Sequence, residues 1–426
     1  MREMKDSGVY WIGDIPAEWE LLPTKRFFRA EKRVVGSAVD DYERLALTMQ
    51  GVIKRSKDDS EGLQPEKFEG YQILRENELV FKLIDLENVK TSRVGLSPYT
   101  GLVSPAYIVL TNEQKDNRFF YYWFMFLYYN EVFNQLGGAG VRSALNAKDV
   151  CALPVPAVDY VIQKKIADYL DDKCSKIDAI IAKQELILEK LKAYKLSLIT
   201  EAVTGIGYEG ERISSGLKYV ESIPAHWENR KMLSILSMRV VDGPHESPEL
   251  YDDGIPYISA TAIENGKIDF SKMRGYISPE YCDICDQRYK PKRDDILVIK
   301  LGASTGQVAM VETDERFNVW VPLAAVRCNK EAYPKFVYYA FQSDYFIKQM
   351  ELSWTYGTQQ TLGVKTIERL RILLPPYEEQ KAIADELDKK YDLINKRIEA
   401  VAKLMEKLDE YKKSLIYEVV TGKKEV

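Results

Sequence analysis

The chain has 426 residues, a formal net charge of −5, and 46% hydrophobic and 29% charged residues, an ordinary balance for a soluble protein of two to four domains. Five scattered cysteines argue against a disulfide framework and for a reducing compartment, and the acidic balance argues against a lone, non-specific coater of nucleic acid. The start, Met1-Arg2-Glu3-Met4-Lys5-Asp6, lacks the apolar core of a signal peptide, so a cytoplasmic protein without a membrane span is expected.

A first globular stretch is predicted to about residue 155. It carries Ile15-Pro16-Ala17-Glu18-Trp19, a β-rich run Glu78–Lys82, a turn over Thr91–Gly95 and a small-residue strand Ser104–Tyr107. The aromatic run Phe119–Tyr129 follows, a helix too short to span a membrane. A polar loop, Gly140–Leu145, and a proline-rich stop, Leu153-Pro154-Val155-Pro156, precede a long helix over about 160–203. That helix opens on Gln163-Lys164-Lys165-Ile166-Ala167-Asp168-Tyr169-Leu170 and ends near Val203-Thr204-Gly205.

The whole series then returns. Ile223-Pro224-Ala225-His226-Trp227 repeats residues 15–19, an offset of 208 (223 minus 15), and Gln380–Leu387 repeats residues 163–170, an offset of 217 (380 minus 163). Ile296–Lys300 is set against Glu78–Lys82, Gly302–Gln307 against the first turn, and Val321–Ala324 against Ser104–Tyr107. Gly357–Leu362 matches the first polar loop, and Leu374-Pro375-Pro376 precedes a second helix over about 378–420. A period this long marks a duplicated domain rather than a solenoid. Frames repeat while loop residues differ, which suits two related folds that read two different targets.

Both long helices carry a heptad seam. The second runs Tyr391, Ile394, Ile398, Val401, Met405, Leu408, and the first runs Cys174, Ile177, Ile181, Gln184, Leu188, Leu191. Lys and Glu flank both seams, as in coiled coils, so the helices are expected to pair. Gln184 stands where the second seam has Val401, and a polar residue there would help set register. About 40 residues at 1.5 Å each give roughly 60 Å. An antiparallel pairing would make the pair a spacer between two domains.

Catalytic sets are incomplete. Leu374-Pro375-Pro376-Tyr377 has leucine where an amino-methyltransferase motif needs Asp, Asn or Ser. Cys282-Asp283-Ile284-Cys285 is a single CxxC, short of the four ligands of structural zinc. Gly302-Ala303-Ser304-Thr305-Gly306 lacks the Lys-Ser/Thr of a P-loop, and two histidines leave few general acid–base candidates. No metal site and no enzyme activity are expected.

The Ile-Pro-x-x-Trp openings, the Gly140–Leu145 and Gly357–Leu362 loops, the proline stops and the Gln-x-x-Ile-Ala-x-x-Leu helix starts occur twice in the same order. In this the chain resembles, over essentially its full length, the specificity (S) subunits of type I restriction-modification systems, the HsdS family. The resemblance implies a tandem α/β (α+β) repeat: target recognition domains over 1–157 and 207–377, and conserved spacer helices over 158–206 and 378–426, paired as an antiparallel coiled coil. It implies a non-catalytic subunit that reads a bipartite site in double-stranded DNA across a gap set by the helices. Two modification (M) subunits would dock on the helices, and restriction (R) subunits would join through them. S-adenosylmethionine, ATP and Mg²⁺ would sit on those partners, with no cofactor on this chain. Candidate base contacts by chemistry are Lys82, Arg93, Arg142 and Ser143 in the first domain, and Lys300, Thr305, Gln307, Gln359 and Gln360 in the second, because Arg suits guanine edges and Gln suits adenine edges. A bivalent protein-binding scaffold is the competing reading of the duplication.

Overall fold

A computed structural model describes residues 2–58, 67–84, 86, 93–136, 144–356 and 359–426. The chain forms two compact units, one from Met1–Gln184 with Lys403–Val426 and one from Glu185–Ala402. Each unit therefore holds one globular stretch and pieces of both long helices.

In the first unit a four-stranded antiparallel sheet forms from β1 (Arg29–Ala30), β2 (Leu79–Phe81), β3 (Val94–Leu96) and β4 (Ile108–Thr111), in the order β1-β4-β2-β3. The second unit repeats it with β5 (Val241–Asp242), β6 (Ile296–Ile299), β7 (Val308–Met310) and β8 (Leu323–Val326), in the order β5-β8-β6-β7. Strand β2 is buried on both faces, as is β6, which explains why each reads as an unbroken apolar run rather than an alternation. A further small sheet in each unit contains a parallel pairing, Leu102 with Arg44 and Tyr257 with Asn318.

The aromatic run becomes α1 (Arg118–Tyr129), and Phe119, Phe120, Trp123, Phe124, Phe126 and Leu127 are buried in the first core. Phe81 meets Phe124 edge-on at 5.0 Å between centroids. The long helices are α2 (Tyr160–Thr204) and α4 (Tyr377–Val420), with the short aromatic helix α3 (Pro334–Gln342) between them in sequence. Each long helix start is tied to the globular stretch before it by matching bonds. Tyr122 Oη donates to Asp171 (2.7 Å) as Tyr339 Oη donates to Asp388 (2.6 Å), and Arg118 and Lys335 pair with the same two carboxylates. The Gln163 and Gln380 side chains, both buried, donate to Val158 O and Pro375 O, each at 2.8 Å.

The pieces of α2 and α4 pair antiparallel within each unit. In the first, Lys412 Nζ lies 2.6 Å from Asp178 Oδ1. In the second, Lys195 Nζ donates to Asn395 Oδ1 (2.8 Å) and stands 3.8 Å from the Tyr391 ring centroid.

Two alignments between the halves shift. Asn77 and Asp294 are non-glycine residues with positive φ (65° and 70°), and each precedes a buried carboxylate, Glu78 and Asp295. Glu78 accepts from Arg33 (2.7 and 2.9 Å) and from Arg75 N; Asp295 accepts from Arg327 (2.6 Å twice) and from Lys292 N. The matched positions are thus 78 and 295, so Lys82 corresponds to Ile299 and not to Lys300. The second shift is in the small-residue run. Ser104–Tyr107 is a turn closed by Tyr107 N donating to Ser104 O (3.1 Å), and the strand β4 starts at Ile108. Small residues and a proline there serve the turn that feeds the strand.

Candidate nucleic-acid interface

In the second unit the β6–β7 connection and the segment after residue 358 are laced together. Leu362 N donates to Lys300 O (2.8 Å), Gly302 N to Gln360 O (3.1 Å), and Thr305 Oγ1 to Gly302 O (2.7 Å) and Gln360 O (3.3 Å). Ile299 N donates to Gln307 O (2.8 Å), closing the turn. These bonds bring Lys300, Thr305, Gln307, Gln359 and Gln360 onto one pair of neighbouring loops, although some 50 residues separate the two segments. The Gln307 and Gln359 side chains are exposed, and Gln360 is half-buried. An exposed primary amide offers a donor and an acceptor side by side, the pattern that matches N6 and N7 of adenine.

The first unit builds the same frame. Leu145 N donates to Leu83 O (3.0 Å), Ile84 bridges to Ala144 as Leu301 bridges to Thr361, and Lys82 N donates to Arg93 O (2.9 Å). Arg93 accordingly takes the place of Gln307, yet it is only 1% exposed and donates to Ile84 O (3.3 Å) and Leu86 O (2.9 Å). Lys82 is half-buried beside it. Arg142 and Ser143 lie outside the described residues.

Lys300 and Thr305 are also turned inward, each 7% exposed. Lys300 Nζ lies 2.8 Å from Asp242 Oδ2. That carboxylate has two more basic neighbours. Arg288 pairs with it and donates from Nε to Asp242 O (2.9 Å), and His245 Nε2 lies 3.2 Å from Oδ2. Burial pushes the Asp242 carboxyl up, but the Lys300 hydrogen bond and the charges of Lys300, Arg288 and His245 outweigh it and hold it below the ordinary range. Arg274 stacks over Trp320 at 3.3 Å from the ring centroid, and Trp320 Nε1 donates to Glu246 O in the same loop as His245 (3.1 Å). Sequence reading missed Arg288, His245 and Arg274, because no local motif links residues that far apart along the chain. Asp242 in a sequence gives no sign of its three basic partners.

Along the helices, Ile177 is buried in the first unit's core, Ile181 and Leu408 pack on it, and Gln184 and Met405 are half-buried. In the second unit Ile394 is buried and Leu188, Leu191, Ile398 and Val401 are half-buried, while most flanking positions are exposed. Cys282 and Cys285 are buried on one helix, and burial pushes the Cys282 thiol up to about 11. Among the described residues no helix is long and apolar enough to cross a membrane.

Residues 224–403 match the family model of the type I restriction modification DNA specificity domain. The chain is 24% identical over 434 residues to a Methanocaldococcus jannaschii protein named as the MjaX type I restriction enzyme specificity subunit, covering 97% of this chain and 95% of that one. It is 26% identical to the EcoBI specificity subunit of Escherichia coli, over 67% of this chain and 62% of the relative, less than two thirds of its length. In fold it is similar to a solved chain from a study of complex assembly and conformational transition of the type I R-M system, with a TM-score of 0.64 at 13% identity, over 95% of this chain and 98% of that one. The duplicated sheet and the antiparallel helix pieces agree with these matches: the chain carries a stretch that matches the DNA specificity domain of type I restriction-modification systems and is similar, over nearly its full length, to a specificity subunit of such a system.

Proposed function

We propose that this chain reads a bipartite site in double-stranded DNA, one half-site through residues 1–157 and the other through residues 207–377. The observation that carries the reading is the loop pair that recurs at matching positions, held by Leu145 N to Leu83 O and by Leu362 N to Lys300 O, with different side chains on each. A common frame with different tips is what two independent sequence readers need. Gln307, Gln359 and Gln360 are the base-reading candidates of the second half, and Lys82 with Arg142 and Ser143 those of the first. Arg93, Lys300 and Thr305 support the loops from within.

The spacer segments, 158–206 and 378–426, set the gap. Helices of 45 and 44 residues span roughly 65 Å at 1.5 Å per residue. Their outer faces favour docking of two modification subunits. Tyr411 and Leu404 are exposed in the first unit, Tyr194 and Ile187 in the second, and members of each equivalent pair lie 217 residues apart (411 minus 194, 404 minus 187). Exposed apolar residues at equivalent places suit two copies of one partner. Restriction subunits join through the modification subunits. S-adenosylmethionine, ATP and Mg²⁺ belong to those partners, and the complex works in the cytoplasm. Co-expression with the modification subunit and mapping of methylated adenines test this reading. The expected result is one split motif, and methylation without a split motif would overturn it.

A further inference from the structure

We propose that Arg288 and His245 form a phosphate clamp on the second recognition domain, organised by Asp242; this rests on the DNA-reading function proposed above and deepens it. Lys300 alone is enough to neutralise the buried Asp242 carboxylate, at 2.8 Å. Two further basic side chains converge on it nonetheless, so one negative charge faces two permanent positive charges and an imidazole. In a chain of net charge −5 this is a local excess of the sign that DNA attracts. Glu246, next to His245 in sequence, accepts from the Tyr281 hydroxyl at 3.4 Å.

The two outer members are available. Arg288 is half-exposed and His245 exposed. Arg288 is held by Nε and Nη2, and Nη1 has no partner among the described residues. A guanidinium already fixed in place loses little freedom on binding an anion. The loop that carries His245 is fixed too. A Cβ on Gly243 would stand 2.1 Å from Val319 O, so only glycine permits the loop to lie this close to the neighbouring strand.

Folding does not require the ion pair at the centre. In the first unit Leu83, buried, occupies the position of Lys300 and accepts the same backbone bond from the partner loop. Burying a charged pair where the sister domain buries leucine carries a desolvation cost that packing does not explain. Because the Lys300 carbonyl also anchors the loop of Gln360, the clamp adjoins the base-reading candidates. Phosphate contacts there would hold the amides in register on the bases.

The test uses the full chain assembled with its modification subunit, titrated with duplexes that carry or lack its methylation motif over a range of salt. Arg288→Ala should weaken binding several-fold on both duplexes and flatten the dependence of log K on log salt by about 0.9 for each phosphate no longer neutralised. The exposed-loop variant His245→Ala should weaken binding in the same sequence-independent way. The double variant Asp242→Ala/Lys300→Leu copies the sister domain's leucine, keeps a folded core and should also flatten the salt dependence. An unchanged slope in Arg288→Ala and His245→Ala would overturn the clamp while leaving DNA reading intact. A changed motif would also overturn it, since Arg288 would then be reading bases. A wild-type complex without sequence-selective binding would overturn the DNA-reading function and the clamp with it.

Discussion

Gly422 lies directly beneath Trp19: a Cβ on Gly422 would stand 3.0 Å from Trp19 Cη2 and 2.5 Å from Pro16 Cγ. The second unit repeats the contact, with Gly205 against Trp227 Cη2 (3.3 Å) and Pro224 Cδ (2.6 Å). The Ile-Pro-x-x-Trp motif is thus the seat for the Thr-Gly end of a long helix. In each unit that helix comes from the other sequence repeat. Both glycines also have positive φ, 66° and 73°, and end their helices in the left-handed conformation.

Gly422→Ala and Gly205→Ala should each destabilise by about 1–3 kcal/mol, from backbone strain plus the clash with proline and tryptophan. Thermal or denaturant unfolding of the full chain checks this. Equal stability of both variants and wild type would mean that the neighbouring rings move aside at no cost.

Asp295 is buried and holds Arg327 by two hydrogen bonds of 2.6 Å, with the Tyr289 hydroxyl at 2.7 Å. Asp295→Ala should cost about 3 kcal/mol or more, because it strands a cation and a buried hydroxyl. Glu78→Ala should act alike in the first unit through Arg33. Denaturant melts of the two variants provide the measurement.

Insertion of seven residues into both long helices, at facing positions of the seam, adds about 10 Å. At 3.4 Å per base pair the methylated motif should lengthen by about three unspecified pairs with both half-sites unchanged. A motif of unaltered gap would refute the spacer role.

Gln307→Ala and Gln360→Ala should relax or change one half-site only, with discrimination falling by about 1–3 kcal/mol for each bidentate pairing to a base that is removed. Methylome mapping reads this directly. Replacement of residues 1–157 with another member's first domain should alter the opposite half-site and leave this one intact.

Asp116 is held below the usual carboxylate range, chiefly by the Arg118 side chain, with burial opposing and the Arg118 backbone N–H assisting. A depressed folded-state value contributes stability above the unfolded value near ~4, and that contribution is lost as pH falls through the folded value. The melting temperature should therefore drop on acidification below about pH 4, and Asp116→Asn should show a shallower drop. Arg118 also reaches Asp168 and Asp171 of α2, so the same protonation loosens that attachment.

Duplication and the two long helices were legible in the sequence, because helical spacing and motif order are local patterns that survive without knowledge of contacts. The bounds agree closely, with α2 at Tyr160–Thr204 and α4 at Tyr377–Val420. The family resemblance rests on the same motifs. The strand-by-strand match of the halves was not legible there. Glu78–Lys82 and Ile296–Lys300 are both β-rich runs ending in lysine, and only the backbone at Asn77 and Asp294 shows that the match is one residue away.

The sequence by itself determined that the chain is two copies of a domain joined to two pairable helices, since periodicity and repetition are properties of one dimension. Tertiary structure decided which side chains face outward. Arg93 and Gln307 hold equivalent places, yet one is spent on backbone carbonyls and the other stands exposed. It alone gathered Asp242, Lys300, Arg288 and His245, because charges converge through strand pairing and burial rather than through spacing along the chain.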